Sequence, residues 1–290
     1  MTSSSDAQNI TETVLSEYRD KTTDVRLQEI LPYLISHMHQ FAQDVRLTEE
    51  EWAVAIDFLT RTGHMCDDKR QEFILLSDIL GLSSVVNAIN HGKGGLGTDN
   101  TVLGPFHVEG APAVDHGGSI IRTAEPQGEV VLVRGRVVDP DGNTVAGAKL
   151  DTWSTGGNAR YFVQDSNVSA YNMYGVVTSQ DDGSYCFVAE LPVSYSIPTD
   201  GPVGQLLKAC NRKDMRPAHI HFIVEAHGYQ RLQTHLFCDD DPYLDSDAVF
   251  ALKDELIVRF EKSTDVDVAR EFGLPEKFRI LDFDFVLVPG

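Results

Sequence analysis

Arg216-Pro217-Ala218-His219-Ile220-His221-Phe222 sets two histidines two residues apart inside an apolar run. On a strand, residues i and i+2 project from one face, so His219 and His221 can converge on a single point. Upstream, Tyr161 and Tyr195 stand in segments that read as strand ends. Imidazole suits iron, zinc or copper, whereas a phenolate oxygen is a hard anionic donor. Two phenolates with two imidazoles favour a trivalent metal over a divalent one, and tyrosinate is a ligand of ferric haem. The chemistry such a set supports is oxidative. Taken alone, a His-x-His pair fits zinc or no metal, and Tyr171, Tyr174 and Tyr185 compete with Tyr161 as the first phenolate.

Holding these side chains together requires a strand scaffold, and the sequence supplies one after residue 128. Glu129–Val138 is rich in Val, and Asp139-Pro140-Asp141-Gly142 supplies a turn into a strand ending near Trp153. Asp181-Asp182-Gly183 predicts a turn between Gly175–Thr178 and Tyr185–Ala189. His227-Gly228-Tyr229 separates His219–Ala226 from Leu232–Cys238 as a hairpin turn would. A helix is predicted over Asp247–Glu261, then a terminal strand over Arg279–Val288. Short strands with regular turns predict an antiparallel β-sandwich.

Before residue 100 the period is helical. Val25, Ile30, Leu31, Leu34, Met38, Phe41 and Val45 form one apolar stripe. Thr48 and Glu51 form a capping box opening a helix through Trp52, Ile56 and Leu59. A third amphipathic segment, about Lys69–Asn90, carries Phe73, Ile74, Leu76, Leu80 and Val85 and meets the breakers Gly92, Gly94 and Gly95. Gly95–Gly128, rich in Gly and Pro, predicts loop and linker. The expected architecture is mainly β, with an all-α helical domain over 1–100 and a β-sandwich catalytic domain over 101–290.

Composition narrows the function class. At 290 residues the chain has ample core to fold without staples. A formal net charge of −20 argues against nucleic acid and anionic membrane surfaces, which want clustered Lys and Arg. No apolar run is long enough to span a membrane, and Met1-Thr2-Ser3-Ser4-Ser5-Asp6 lacks a signal-peptide pattern. Cys66, Cys186, Cys210 and Cys238 show no CxxC pair and read as reduced, mostly buried thiols of a cytoplasmic protein.

The residues also carry a resemblance. Thr101-Val102-Leu103-Gly104-Pro105-Phe106, the spacing from Trp153 to Tyr161, Tyr195-Ser196-Ile197-Pro198 with Asp200-Gly201-Pro202, and Arg216–Phe222 resemble the intradiol ring-cleaving dioxygenases. Within that family the chain looks most like the hydroxyquinol 1,2-dioxygenases. Lys69-Arg70-Gln71-Glu72-Phe73 with Ser77-Asp78, Thr234-His235-Leu236-Phe237, and the run Asp241–Phe250 carry that likeness. Three local departures stand out: Trp153-Ser154-Thr155-Gly156-Gly157-Asn158, Tyr174 before Gly175, and Lys213-Asp214 before the Arg-Pro pair.

The resemblance implies one non-haem ferric ion per chain, held by Tyr161, Tyr195, His219 and His221 with a hydroxide. Such a set is neutral, which suits a dry pocket. Tyr195 would be the ligand that leaves when substrate chelates the metal, and Arg216 would stabilise anionic character on the ring. Leu75, Asp78, Val102, Leu103, Gly104, Pro105, Phe106, Ile197, Pro198, Arg216 and Val249 would line the substrate pocket. Asp78 is the acidic member of that set, against a plain reading as a helix carboxylate that faces solvent or pairs with a nearby cation. His235 reads as a neighbour of the site rather than a ligand, and His37, His39, His64, His91, His107, His116 and His227 as solvent or packing residues.

The implied reaction cleaves benzene-1,2,4-triol (hydroxyquinol) with dioxygen to 3-hydroxy-cis,cis-muconate, which tautomerises to maleylacetate, in aromatic catabolism. Catechol or a substituted catechol is the alternative substrate, and a non-catalytic β-sandwich binding protein is a third reading. A homodimer through the N-terminal helices, enclosing a phospholipid, is also implied.

Overall fold

The computed structural model describes residues 3–67, 70–91 and 95–290, with side chains from residue 6 onward. Lys69, Gly92 and Gly94, expected to bound the third helical segment, and Met1-Thr2 lie outside the described residues. The chain forms two compact units, Met1–Arg61 and Thr62–Gly290.

The first unit is helical. Helix α1 (Ser3–Lys21) packs along α2 (Val25–Asp44), and α3 (Glu49–His64) follows. Asp24 caps α2 by accepting from the Leu27 amide at 2.8 Å. The Thr48/Glu51 capping box is present in both directions: Thr48 N donates to Glu51 Oε2 at 2.9 Å, and Glu51 N to Thr48 Oγ1 at 3.2 Å. Helix α1 has no counterpart in the sequence reading, because its residues are too polar to show a stripe.

The second unit begins with α4 (Glu72–Ile79) and α5 (Leu82–His91), then adds α6 (Pro202–Ala209) and α7 (Val266–Phe272). The single helix expected over Lys69–Asn90 is two helices bent by 78°. Gly81, at φ +74°, makes the bend in a backbone region that L side chains avoid. Among the described residues no single helix is long and apolar enough to cross a membrane.

In chain order the first strands are β1 (Ala113–Val114), β2 (Val130–Val138), β3 (Lys149–Ser154), β4 (Tyr174–Thr178), β5 (Ser184–Glu190), β6 (Tyr195–Ser196) and β7 (Met215–Arg216). They are followed by β8 (His219–Glu225), β9 (Leu232–Cys238), β10 (Ile257–Val258), β11 (Glu261–Ser263), β12 (Phe278–Asp282) and β13 (Phe285–Val286). One sheet runs β1-β4-β3-β8-β9-β10; the other runs β11-β12-β2-β13, with β5 also on β2.

The sheets are mixed rather than purely antiparallel, which corrects the expectation. The central pairs β3–β4, β3–β8, β8–β9 and β2–β5 are antiparallel, whereas β1, β10, β12 and β13 join in parallel. Of the three turn signals only His227-Gly228-Tyr229 joins an antiparallel pair, β8–β9; the other two connect strands of different sheets, and the remaining partners, parallel ones included, meet through longer connections that leave no local signal.

Strand periodicity separates the layers. On β2, Val131 and Val133 enter the large core, while Val130 and Leu132 face a smaller cluster with Cys186 and Val188, covered by Val268 and Phe272 of α7. On β8, Ile220, Phe222 and Val224 are fully buried, and Phe222 meets Phe187 and Phe285 of the second sheet at ring centroids of 6.2 and 4.8 Å. His219 and His221 therefore occupy the opposite face of β8.

The helix expected over Asp247–Glu261 is absent. One 3-10 turn, Leu244–Ser246, precedes that stretch and a second, Asp254–Leu256, lies within it, followed by β10 and β11. Its apolar spacing at Val249, Leu252 and Leu256 mimics a helix, but Asp247 accepts from the amides of Val249 (3.3 Å) and Ala251 (2.9 Å) and so folds a turn. All four cysteines are free; Cys186 and Cys238 are buried, Cys66 half-buried and Cys210 exposed.

Candidate metal centre and substrate cleft

Cross-strand register assembles the site. Trp153, His221 and His235 are partners across β3, β8 and β9, so their side chains form one row on one face. The indole of Trp153 stacks on His221 at 4.6 Å with 10° between planes, and His235 meets it edge-on at 4.1 Å. In the β6–β7 ribbon Tyr195 pairs with Arg216, which places phenol and guanidinium side by side. Tyr161 arrives differently. It sits in the irregular connection after β3, not at a strand end, and opens a 3-10 turn whose Gln164 accepts from its amide at 3.1 Å.

Four donor atoms converge. Tyr161 Oη lies 2.9 Å from His221 Nε2 and 3.2 Å from Tyr195 Oη, and His219 Nε2 lies 3.1 Å from His221 Nε2. Metal bonds of about 2.0–2.2 Å to nitrogen and oxygen put neighbouring ligands roughly 2.9–3.4 Å apart, the range these separations fall in. His219 Nδ1 lies 2.7 Å from the Pro217 carbonyl, which can only accept. That nitrogen therefore carries the proton, and the Nε2 lone pair faces the other donors. Burial pushes His219, His221 and His235 well below the usual imidazole range, keeping them neutral and able to ligate. Burial first, then Tyr195, pushes the Tyr161 phenol well above its ordinary value. A phenolate there needs a strongly charged partner, and a multivalent cation among the four atoms supplies one. The donor set fits a hard, high-charge metal ion.

His235 is a third buried imidazole whose ligand atom lies within 4.8 Å of those of His219 and His221. Its Nδ1 is engaged with Thr101 Oγ1 at 2.7 Å, and the tyrosine oxygens close on the His219–His221 pair far more tightly. The two-tyrosine, two-histidine set is the better cage on distance. Of the competing tyrosines, Tyr174 donates to the Phe106 carbonyl (2.7 Å), Tyr185 to the Phe283 carbonyl (2.7 Å) and Tyr171 to the Glu109 carbonyl (3.2 Å). Each is committed to backbone elsewhere.

A narrow cleft opens beside Tyr195 and Arg216. Leu75 and Asp78 reach it from α4, Val102, Gly104, Pro105 and Phe106 from the loop over the four converging donors, and Ile197 and Pro198 from the segment after β6. Val249 closes it; Leu103 is not on its wall. The loop is pinned by Thr101 N to Gln233 O (2.8 Å), Asn87 Nδ2 to Thr101 O (2.9 Å) and the Tyr174 bond. Gly104 has φ +75°, and an added Cβ would lie 3.4 Å from His221 Cε1, so glycine lets the loop cover the imidazole. Phe106 stacks on Tyr161 at 4.4 Å. Buried Glu72 accepts from Arg70 (2.8 Å) and from the Val203 amide (3.2 Å), tying α4 to α6 and fixing Leu75 and Asp78 over the opening.

Asp78 is 3 % exposed, so it does not face solvent. Burial raises its pKa above the usual carboxylate value, with Ser83 and Arg216 opposing and Asp247 adding to the shift. Arg216 is buried too. Burial would lower its pKa, but Asp247 foremost, then Tyr195 and Tyr161, holds it above the ordinary value, so it stays cationic.

Two contributors carry no signal in the sequence. His107, expected to be solvent or packing, lies 2.9 Å from Asp151 and tilts against Trp153 at 4.7 Å. Asp247 engages Arg216 Nε at 3.2 Å. Neither has a spacing signal, since each meets its partner across long stretches of chain.

Two family profiles match the chain: the catechol dioxygenase N terminus over residues 24–95 and a dioxygenase profile over 102–289. The 6-chlorohydroxyquinol 1,2-dioxygenase of Cupriavidus pinatubonensis is 46% identical over 284 residues, 98% of each chain. The hydroxyquinol 1,2-dioxygenase of a Rhizobium species is 46% identical over 278 residues, 95% of this chain and 93% of the relative. The crystal structure of hydroxyquinol 1,2-dioxygenase from Pseudomonas putida superposes with a TM-score of 0.91 at 42% identity, covering 99% of this chain and 100% of that one. The converging tyrosines and histidines thus sit in a scaffold shared over nearly its whole length, and the chain belongs to the intradiol ring-cleaving dioxygenase family.

Proposed function

We propose that this protein is a hydroxyquinol 1,2-dioxygenase: it cleaves benzene-1,2,4-triol between its adjacent hydroxyls with dioxygen, giving 3-hydroxy-cis,cis-muconate, which tautomerises to maleylacetate. The observation that carries this reading is a buried carboxylate, Asp78, on the wall of the cleft that also holds Tyr195 and Arg216. A third ring hydroxyl gives that carboxylate a donor, which catechol lacks. The relatives that match over nearly the full length bear names of the same substrate class.

Tyr161, Tyr195, His219 and His221 would hold one ferric ion per chain. Ferric iron held there would supply Lewis-acid chemistry, accepting both diol oxygens and activating the ring toward dioxygen. Tyr195 Oη takes up a proton from the entering diol, a role its place at the cleft wall supports. The Arg216 guanidinium provides a fixed positive charge against the ring as negative charge develops on it. Leu75, Val102, Ile197, Pro198 and Val249 shape a dry slot for the ring, with Phe106 backing Tyr161.

The helical region is assigned a homodimer contact enclosing a phospholipid, and the protein a cytoplasmic place. Exposed Leu34, Met38 and Phe41 on one stripe of α2, with Val45 at its end, support the contact, and four free cysteines support the compartment. Under this reading the helical domain runs to about residue 100, where the two family profiles divide.

The test is oxygen uptake by the iron-loaded protein on benzene-1,2,4-triol, catechol and chlorinated catechols, with products identified by mass. Preferred turnover of the triol to maleylacetate is expected. Preferred turnover of catechol would move the assignment to a catechol 1,2-dioxygenase, and turnover of none of them would remove the enzymatic reading.

A further inference from the structure

We infer that Asp247 is the positioning residue for Arg216: its carboxylate fixes the guanidinium beside Tyr195 and ties that placement to the wall of the substrate cleft. The inference rests on the ring-cleaving function proposed for this site.

One carboxylate makes both connections. Asp247 Oδ1 accepts from Arg216 Nε at 3.2 Å and from the Val249 amide at 3.3 Å, while Oδ2 accepts from the Ala251 amide at 2.9 Å. Arg216 and Asp247 are 2 % and 7 % exposed, and among the described residues Asp247 is the carboxylate paired with Arg216. With Nε engaged, the terminal nitrogens face the metal side: Nη1 lies 3.4 Å from Tyr195 Oη and 3.2 Å from His219 Nε2, and Nη2 is buried with no partner among the described residues. A buried donor without a partner is costly, and Arg216 lines the cleft, so a substrate oxygen is the group that would satisfy it.

Two consequences follow from the charges. An uncompensated guanidinium is costly to bury; the adjacent carboxylate cancels its net charge without turning its donors away. The same carboxylate also organises the turn that carries Val249, so any shift of the guanidinium is coupled to the cleft wall. The segment is further held by Arg212, which donates to the Ala248 carbonyl at 2.9 Å, and by the Ala248 amide, which donates to the Met215 carbonyl at 3.1 Å, next to Arg216. Aiming of a guanidinium depends on a planar fork, so loss of one anchored nitrogen lets it pivot.

The test is a double-mutant cycle in iron-loaded protein with Asp247→Asn and Arg216→Leu, with kcat and KM measured for the triol. Arg216→Leu alone should keep its iron and lose ~10²–10³-fold in kcat, the usual effect of removing one preorganised electrostatic group. Asp247→Asn should lower kcat on the order of tenfold to a hundredfold with KM changed by less than about threefold, because misaiming costs the chemical step. In the Arg216→Leu background the same change should add less than about twofold, since the residue it positions is gone. Asp247→Glu, which keeps the charge, should recover part of the lost kcat. Independently of turnover, a crystal structure of Asp247→Asn should show the guanidinium displaced from Tyr195 Oη. Multiplicative losses in the double variant, wild-type kcat in Asp247→Asn, or an unmoved guanidinium would each overturn the inference. An inactive wild-type protein would instead sink the functional reading and leave the crystallographic arm to decide the positioning.

Discussion

Asp78→Ala separates substrate choice from folding because the two respond in opposite directions. Asp78 is 3 % exposed, lines the cleft with Arg216 and Tyr195, and has its pKa raised chiefly by burial. As an ionised acceptor it offers the third hydroxyl of the triol a charge-assisted hydrogen bond worth roughly 1.5–3 kcal/mol, or about ten- to a hundredfold in kcat/KM. Catechol has no hydroxyl there and forgoes that bond. Truncation also removes a carboxylate whose burial opposes folding, and Ser83 and Arg216 offset that burial only in part. The thermal midpoint should therefore stay level or rise. The assay is oxygen uptake on both substrates with iron content checked, beside thermal unfolding. The triol value should fall by that factor while catechol changes little or rises. Equal loss on both substrates with iron intact, or a marked drop in the thermal midpoint, would refute the reasoning and make Asp78 a structural residue.

Purified protein should carry about one ferric ion per chain and show a reddish tyrosinate-to-iron absorption, as the four-donor cage requires. Tyr161→Phe should bleach that absorption and Tyr171→Phe should leave it, since the Tyr171 hydroxyl is bonded to the Glu109 carbonyl; a colourless protein with stoichiometric zinc would defeat the assignment. The raised pKa of Asp78 also sets a pH dependence. The folded state binds the extra proton between the ordinary value of 3.8 and the raised one, so stability falls as pH rises through that window. Ionisation over the same window creates the acceptor, so the ratio of triol to catechol kcat/KM should rise with pH in the wild type and stay flatter in Asp78→Asn. A wild-type ratio that does not change with pH would exclude the charged carboxylate as its source.

Much of the scaffold was legible because its signals are local. The parity of His219 and His221 on one strand places them on the same face whatever the rest of the chain does. The Thr48/Glu51 cap, the Asp139–Gly142 turn and the β8–β9 hairpin are likewise set by neighbours in sequence. Local signals also mislead where two conformations share a period. Val249, Leu252 and Leu256 are spaced as on a helix, yet the Ala251 amide goes to the Asp247 carboxylate rather than to the Asp247 carbonyl that a helix would use. Gly81 likewise breaks into two helices a stripe that reads as one.

What tertiary structure decided is which distant groups meet. Four tyrosines compete for one phenolate position, and only the path of the loop after β3 brings Tyr161, rather than Tyr171, Tyr174 or Tyr185, within 2.9 Å of His221. Asp78 could equally have faced solvent; the tie between Glu72 and α6 turns it into the cleft. Asp247 meets Arg216 across 31 residues of chain. The sequence by itself specified which donors were present and which could share a strand face, because those depend on side-chain type and backbone period. Their convergence at one point beside one cleft depends on sheet register and loop path, which arise only when many weak, long-range contacts are satisfied together.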